Sequence, residues 1–523
     1  MGLFSTKNIA NLIKESEGHQ LKRTLGAANL VALGVGAIIG AGLFVRTAAA
    51  AADASGSAVT LSFIVAAIGC AFAGLCYAEF AAMIPIAGSA YAYSYVTMGE
   101  LVAWIIGWAL IMEYALGAAT VSIAWSEYLN NLLGGAIPYE WCHSPFESLH
   151  KVNAETLGAF TSFNPSWVSL VKNNELLLTD EMVATLPATL TQLVQTTHGF
   201  MNLPALIVLL LITLILIRGT QESAVVNAII VFVKVAIVLM FIAIGWQYIN
   251  PANHTPYMIP EGTIGHEGFF KWGWGGVIGG AGIVFFAFIG FDAVSTAAQE
   301  AKNPKRDMPI GILGSLVVCT ILYVLFGHVL TGVANWQEFK TAGKEASVVY
   351  TIQNYMPGYQ WLATSVTVAI LAGFSSVILV MLMGQSRVFF SMSNDGLMPK
   401  AFSELHPKFK TPYKANLILF IFVGLFAAFV PGSVAGDLTS FGTLFAFVLV
   451  SAGVWIMRIK SPDIERPFKT PLVPLVPILG VLVCTLMIVA LDAQTLKVAA
   501  LWMIFGLVVY FAYGKRNSKL NGS

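Results

Sequence analysis

Four glycines in the first apolar segment of the chain are the residues whose type and spacing point most directly to chemistry. They are Gly34, Gly36, Gly40 and Gly42, within Leu33–Val45. Glycine is a poor helix former and lets other groups approach the backbone closely. A helix interrupted there starts a half-helix whose first N–H groups, those of Ala41, Gly42 and Leu43, form a positive end suited to a carboxylate. Packing is the alternative, because Gly36 and Gly40 form a small-xxx-small pair.

The sixth apolar segment, Lys271–Glu300, repeats this pattern with an interruption at residues 288–292, FIGFD. Two interrupted segments five apart run in opposite directions, which is the arrangement of an inverted repeat and favours a real break over packing. The freed carbonyls near Phe286, Ala287 and Ile289 would then face a cation such as an α-ammonium group. Donors for a carboxylate and acceptors for an ammonium together indicate a free amino acid.

Lys234 lies near the middle of the fifth apolar segment, in the run AVVNAIIVFVKVAIVLMFIAIG. A charged lysine at the centre of a bilayer costs about 2.5–3.5 kcal/mol, and charges inside membranes are functional by default. Burial disfavours the ammonium form, so we predict that Lys234 gains and loses a proton during a working cycle. Two alternatives stay open: a lysine that extends to the interface, and a permanent structural cation in place of a bound sodium ion.

Glu113 lies in the third apolar segment, within GWALIMEY. We predict that Glu113 pairs with a cationic side chain or binds a proton. An equal alternative is that its buried carboxyl group is only hydrogen-bonded to its neighbours. Phe288 and Phe291, at the second interruption, are candidates to close over a substrate. Asp292 is expected to tie down the broken backbone.

The composition places these residues in a membrane. Hydrophobic residues make up 57% of the chain, charged residues 11%, and the mean hydropathy is +0.77, whereas soluble domains carry about 25% charged residues. A spanning helix needs roughly 20 apolar residues, so we predict about twelve spans. With the N-terminus inside, 20 Lys and Arg residues fall on the inner side and 7 on the outer side, which makes both termini cytoplasmic. The polar start predicts no signal peptide, and the five cysteines indicate neither disulfides nor a metal site.

The spans divide the chain into five parts. We predict a cytoplasmic segment over 1–24, a first repeat of five spans over 25–250, a second over 251–458, two accessory spans over 459–514 and a cytoplasmic tail over 515–523. An insertion at about 135–200 follows the third span. It is expected to hold some helix and to pack over the outer mouth, as a variable surface decoration.

Five strings carry a resemblance to a known family. They are GVGAIIGAGLFV at Gly34–Val45, CYAEFAAMIPIAGSAYAYSYVTMGE at Cys76–Glu100, IIGWALIMEYALGAATVS at Ile105–Ser122, FFAFIGFDAVSTAAQEAKNPKRDMPIGI at Phe285–Ile312 and GQSRVFFSMSNDGLMPK at Gly384–Lys400. With them the chain resembles the amino acid–polyamine–organocation superfamily and, within it, the bacterial relatives of the cationic amino acid transporters. The resemblance implies an all-α membrane protein with a LeuT-type fold: twelve transmembrane helices, as a five-plus-five inverted repeat and two accessory helices.

The resemblance also implies roles for particular residues. The backbone of Ile39, Gly40, Ala41 and Gly42 would hold the substrate carboxylate, and the carbonyls of Phe286, Ala287 and Ile289 its amino group. Lys234 would occupy the place of sodium in sodium-coupled relatives. Glu113, Phe288, Phe291 and Met381 would line the side-chain pocket or gate. Met381 departs from the small polar residue of animal cationic transporters and argues against a long cationic substrate; Ala41, where relatives often have Thr, removes a hydroxyl contact.

The sequence therefore predicts a secondary active transporter in a bacterial inner membrane that imports neutral L-amino acids, with a broad range of them as an option, together with protons. The rival of the same fold is a carrier of cationic amino acids or polyamines, or an amino acid exchanger. The rival of another class is an amino acid receptor without transport. No enzyme, metal, nucleic acid or cofactor other than the coupling proton is expected, and the partners are a free amino acid, the lipid bilayer and, as an option, a small single-span membrane protein.

Overall fold

The computed structural model describes residues 5–6, 25–84, 89–171, 174–219, 224–292, 294, 301–340, 347–409 and 411–519. Almost all of the predicted N-terminal segment 1–24 and the last four residues of the predicted tail lie outside these ranges. The described chain is mainly helical. It has seven helical segments long and apolar enough to cross a membrane, and five shorter apolar helices.

These helices form twelve spans in the described ranges. Span 1 is Ala27–Ile38, continued after a break by Gly42–Arg46, Thr47–Ala50 and Ala51–Ser55. Spans 2 to 5 are Val59–Met83, Glu100–Leu132, Leu203–Arg218 and Ala224–Gly245. Span 6 is Gly273–Val284 with Phe285–Phe288, followed by span 7, Pro304–Val333, and span 8, Gln360–Asn394. Spans 9 to 12 are Tyr413–Phe429, Gly432–Lys460, Leu475–Val489 and Ala493–Val509.

Spans 3, 7 and 8 organise the packing around the two Gly-rich spans. Span 3 packs against spans 8, 9 and 10, and span 7 packs against spans 1 and 2. Span 5 contacts spans 1, 7 and 8. Two short helices, Ser89–Thr97 and Ser347–Tyr355, precede spans 3 and 8. Spans 1 and 6 are therefore enclosed by helices from both halves of the chain.

Large apolar side chains cover the outer faces of several spans. Phe232 of span 5 is 74% exposed, and Leu211, Ile321 and Ile421 on spans 4, 7 and 9 are each more than half exposed. Exposed apolar surface on this scale is costly in water and favourable against lipid tails. The chain is therefore a multi-pass membrane protein, as its composition predicts.

The described ends of the chain meet at the start of span 3. The backbone N–H of Glu100 donates to Ser5 O at 3.1 Å, and the hydroxyl of Ser518 donates to the Glu100 carboxylate. Both ends thus lie on one face of the bundle, as an even number of spans requires. The insertion follows the other end of span 3 and marks the opposite face, called here the insertion face.

The insertion contains the expected helix, in Leu157–Phe163, Asp180–Ala184 and Ala188–Thr191, and also a small sheet that the sequence reading did not predict. Strands β1 (Ser148–Val152), β2 (Leu176–Leu178) and β3 (Gln195–His198) form an antiparallel sheet in the order β2-β1-β3. The sheet shares a buried apolar cluster with the Leu157–Phe163 helix. The insertion therefore has a core of its own.

His143 fastens the insertion to span 3. Its Nε2 lies 2.9 Å from Oε1 of Glu127. Burial lowers the pKa of His143, but the hydrogen bond and charge of Glu127 outweigh burial and raise it to about 9. Because this value lies above that of an unfolded histidine, the pairing stabilises the fold fully below about pH 6.5, and the stabilisation disappears as the pH rises through about 9.

We expect His143→Gln to lower the thermal unfolding midpoint most at about pH 6 and to have little effect at about pH 10. Thermal unfolding of the purified protein between these values measures the difference. His198→Gln is the matched control, because His198 is an exposed histidine of the same insertion that bonds to Ser148 at 2.9 Å. A constant difference between His143→Gln and the unsubstituted protein at every pH would contradict the assignment.

Candidate functional site

The break in span 1 leaves three adjacent buried N–H groups without an acceptor among the residues that the structure describes. Ile39 is extended, with φ −73° and ψ 104°, and its N–H still bonds to Val35 O at 2.9 Å. Helical bonding resumes with the N–H groups of Leu43 and Phe44, both directed at Gly40 O. Between these points, no acceptor among the described residues is recorded for the N–H groups of Gly40, Ala41 and Gly42. Buried N–H groups are nearly always paired, so this stretch can receive an anionic group.

The break in span 6 faces the break in span 1. Ile289 is extended, with ψ 134°, and Gly290 has φ +114°, a conformation that L residues rarely adopt. A Cβ built on Gly42 would lie 2.2 Å from Ala287 Cα, and one on Gly290 would lie 2.8 Å from Ala37 O. Because the later residue of one span meets the earlier residue of the other, the two breaks run antiparallel.

Lys234 is joined directly to the span 1 break. It is 4% exposed, and its Nζ donates to the carbonyls of Gly36 and Ile39, each at 3.2 Å. The ammonium thus replaces helical N–H partners on the side of the break that precedes Gly40. The alternative of a lysine extended to the interface does not fit this geometry.

Tyr323 of span 7 links the two breaks and was not singled out from the sequence. Its hydroxyl lies 2.9 Å from both Ile38 O and Ala287 O. The ring is fully buried against Phe63 and Phe288. A hydroxyl has one hydrogen, so at any moment it donates to one broken helix or the other. A tyrosine inside an apolar span was the only sequence signal for this role.

The predicted acceptors of span 6 differ in their availability. Phe286 O already accepts from Ile289 N at 3.2 Å, and Ala287 O accepts from Tyr323. Ile289 O has no recorded donor among the described residues, which exclude 293 and 295–300. Because each carbonyl has two lone pairs, all three can still accept, and Ile289 O is the most open of them.

The two aromatic gate candidates point to different neighbours. The Phe288 ring lies 6.2 Å from that of Phe63 and 5.3 Å from that of Tyr323, on spans 2 and 7. The Phe291 ring lies 5.8 Å from that of Tyr77 and 4.8 Å from that of Phe447, on spans 2 and 10. Both are fully buried in aromatic clusters.

Glu113 lies on span 3, and Met381 of span 8 packs against the same helix at Gly117. A Cβ on Gly117, one turn after Glu113, would be 3.3 Å from Met381 Sδ and 3.4 Å from Thr439. Glu113 is 1% exposed, and neither carboxylate oxygen has a hydrogen-bond partner among the described residues. The nearby Thr443 hydroxyl donates to Thr439 O at 3.1 Å instead. Glu113 lies close enough to Asp292, at the end of the span 6 break, for their charges to interact.

Two further contacts hold the insertion-side half of span 1. Arg46, 2% exposed, forms an ion pair with Asp437 of span 10. Ser347 donates to Phe44 O at 3.0 Å from the short helix before span 8. These contacts tie the segment that follows the break to the second half of the chain. The sequence alone does not identify these contacts, because the paired residues are 391 and 303 positions apart.

A cavity of about 680 Å³ lies beyond Arg46, between the insertion and the ends of spans 1 and 3. Its charged lining groups are Asp53, Glu127, His143, Glu147, Asp180, Glu181 and Lys340. Asp53 lies about 20 Å along span 1 from Gly40, at 1.5 Å per residue. Along span 1, Arg46 therefore lies between this cavity and the break.

Comparison with known proteins gives a consistent result. The model of the family described as amino acid permease matches residues 25–513. A branched-chain amino acid permease of Bacillus subtilis is 41% identical over 99% of both chains, and a methylthioribose transporter of the same organism is 36% identical over the same share. A vacuolar cationic amino acid transporter of Arabidopsis thaliana is 30% identical over 87% of this chain and 66% of its own.

Proposed function

The chain belongs to the amino acid permease family of the amino acid–polyamine–organocation superfamily, and from this premise we propose that it imports neutral L-amino acids together with protons. The family is one of transporters rather than enzymes and has the LeuT-type fold. Import would proceed by alternating access around a site between the two broken helices.

The observation that carries the proposal is the run of N–H groups at Gly40, Ala41 and Gly42 that have no acceptor in the described part of the chain. Together with the start of a half-helix, it provides fixed donors for the carboxylate that every amino acid has. The carbonyl of Ile289, on the facing break, supplies an acceptor for the ammonium group. Methylthioribose, the substrate named for one relative, has no carboxylate, so these donors favour an amino acid.

The proposal that the substrate has a neutral side chain has separate support. Two relatives are named as branched-chain amino acid permeases, at 41% and 32% identity. Met381 presents a bulky apolar side chain beside Gly117 in this chain. Such a surface favours an apolar substrate side chain, because burying apolar area is favourable while leaving a cation unpaired is costly.

Lys234 supports the coupling to protons. When charged, it makes two charge-assisted hydrogen bonds to the span 1 break, and these are stronger than neutral ones. Loss of the proton weakens both bonds and frees the segment before Gly40 to move. Protonation and the conformation of the site are then linked in both directions. A permanent structural cation is the remaining alternative, and it predicts no dependence on a pH gradient.

Glu113 favours a second candidate function, the transport of cationic amino acids. Its buried carboxylate has no hydrogen-bond partner among the described residues, and an uncompensated buried charge is costly. A substrate guanidinium or ammonium, or a proton, would relieve that cost. Competition of arginine and of alanine against uptake, in the unsubstituted protein and in Glu113→Gln, separates the candidates: selective loss of arginine binding favours the second.

Uptake of individual radiolabelled amino acids into proteoliposomes tests the main proposal. Each is measured with and without an inward proton gradient. We expect neutral amino acids to accumulate only with the gradient, and their amides, which lack the carboxylate, to fail as competitors. Accumulation of methylthioribose but not of any amino acid would overturn the proposal.

Tyr323→Phe is expected to lower uptake about 5- to 10-fold, because it removes one net hydrogen bond of about 1 kcal/mol that links the breaks. The ring still packs against Phe63 and Phe288, so the thermal unfolding midpoint should change little. Initial uptake rates and thermal unfolding measure the two effects. Tyr128→Phe is the control, since its hydroxyl lies at the longer distance of 3.4 Å from Phe44 O; equal losses in both variants would contradict the linking role.

We also propose the arrangement in the cell. The bacterial relatives favour the cell membrane, and the excess of Lys and Arg on the face of the termini favours a cytoplasmic location for both termini. The insertion would then lie outside, over the mouth. Residues 25–250 and 251–458 would be the two repeats, with spans 11 and 12 as accessory helices.

A further inference from the structure

The aliphatic part of Lys234 packs against Gly373 of span 8. A Cβ built on Gly373 would lie 2.9 Å from Cε of Lys234 and 3.4 Å from both Cδ and Cγ. Contacts of 3.4–4 Å are ordinary for a Cβ, so a Cβ at position 373 would require Cε of Lys234 to shift. The end of the Lys234 side chain thus occupies the space that a side chain at position 373 would fill.

The described surroundings of the lysine leave its side chain little free space. A narrow crevice beside it is bordered by Gly40, Phe44, Lys234, Ile237, Ala369, Ile370, Gly373 and Phe374, and it holds no water-sized space. Phe374 is 1% exposed and packs its ring against those of Phe44 and Tyr128. If a larger residue on span 8 displaces the Lys234 side chain, the ammonium therefore has to move as well, because the walls of the crevice are already packed.

We propose that Gly373 is a positioning residue that fixes the ammonium of Lys234 on the carbonyls of Gly36 and Ile39. This inference rests on the proposed coupling role of Lys234. It gives span 8 a part in coupling. Span 5 supplies the lysine, span 1 supplies the carbonyl acceptors, and Gly373 of span 8 leaves the space that positions the lysine side chain.

A variant with alanine at this position is expected to fold. The atom that has to yield is the far end of a flexible side chain, which is cheaper to move than backbone. Alanine is also a better helix former than glycine, by about 1 kcal/mol. The consequence of Gly373→Ala therefore falls on the position of the ammonium rather than on the stability of span 8.

Span 8 also provides the matched control. A Cβ on Gly384 would lie 3.4 Å from the Tyr114 ring, an ordinary contact. Gly384→Ala makes the same chemical change in the same helix without touching Lys234. A general effect of stiffening span 8 would appear equally in both variants.

Other titratable groups on the helices around span 5 have to be separated from Lys234 in a pH experiment. They are Lys305, Arg306, Asp307, Cys319, Tyr323 and His328 on span 7, Arg46 and Asp53 in the part of span 1 after the break, and Arg387 on span 8; Ala27–Ile38 has none. Tyr323 reaches the broken segment at Ile38 O. The pH profile of Tyr323→Phe, measured alongside, isolates its contribution.

The test is the pH dependence of initial uptake of L-leucine into proteoliposomes. Hydrogen bonds to the charged form of a group favour that form, so displacing the ammonium in Gly373→Ala is expected to move the midpoint to lower pH by about one unit. The maximal rate should fall several-fold, and Gly384→Ala should match the unsubstituted protein. A Gly373→Ala profile that coincides with that of Gly384→Ala would overturn the inference.

The double variant Lys234→Ala/Gly373→Ala completes the test. If Gly373 acts through Lys234, the second substitution has no further effect on leucine counterflow once the lysine is removed. If Gly373→Ala alone expresses poorly, the double variant should fold again, because the lysine that collides with the new methyl group is gone. A double variant that still fails to fold would contradict the claim that Gly373 leaves space for the end of Lys234. If Lys234→Ala itself keeps its gradient-driven uptake, the proposed coupling role of Lys234 fails, whereas loss there with an unchanged Gly373→Ala refutes the positioning role alone.

Discussion

Replacing Lys234 by alanine is expected to abolish proton-driven uptake, with a fall of at least about 100-fold. The variant loses two hydrogen bonds from a charged donor, each worth about 1.5 kcal/mol or more, and leaves the carbonyls of Gly36 and Ile39 unpaired. Since 1.4 kcal/mol corresponds to a tenfold change, the two bonds account for this factor. Leucine uptake under an imposed pH gradient measures it.

The specificity of this effect depends on the location of the lysine. Lys497→Ala is the control, because Lys497 is an exposed lysine at the start of span 12. Leucine counterflow without a gradient tests whether Lys234→Ala still binds substrate. If uptake by Lys234→Ala keeps its dependence on the imposed gradient, the coupling role of Lys234 is wrong.

Gly42→Ala is expected to reduce uptake about 20-fold or more. The new Cβ would lie 2.2 Å from Cα and 2.7 Å from N of Ala287. Backbone atoms in a packed helix pair cannot step aside, and forcing such an overlap costs about 1–3 kcal/mol. The two breaks would separate, so the carboxylate donors and the ammonium acceptors would no longer fit one substrate. Uptake and the thermal unfolding midpoint should fall together.

Gly40→Ala is the matched comparison for this overlap. Its Cβ would lie 3.2 Å from Cγ2 of Val377, a side-chain methyl that can adjust by a few tenths of an ångström. We expect a loss several times smaller than for Gly42→Ala. Equal losses would mean that flexibility of the break, rather than the close approach of spans 1 and 6, limits transport.

The sequence predicted the two breaks and the buried lysine because each violates a rule for membrane helices. Glycine clusters and a lysine ten residues from either end of a span are unfavourable unless they serve a site. The structure confirms that residues 39–40 and 289–290 interrupt their helices and that the breaks face each other. The roles of these residues in substrate binding and coupling stay predictions.

The contacts that surround the breaks could not be predicted in the same way. Tyr323, Gly373 and the Arg46–Asp437 pair act through residues far away in the chain, and each type is also common in ordinary helix packing. The sheet of the insertion was missed because its strands have five residues or fewer, too short for a clear alternating pattern. Local patterns identify unusual backbone, whereas its partners depend on the tertiary arrangement.

The most direct test of proton-coupled amino acid import is the accumulation of radiolabelled L-leucine in proteoliposomes that contain only the purified protein. With the outside acidic and no amino acid inside, we predict accumulation above the external concentration, which a protonophore collapses and which Lys234→Ala lacks. Uptake that ignores the gradient, and that appears only when the vesicles are preloaded with an amino acid, would show an exchanger and contradict the proposed mechanism.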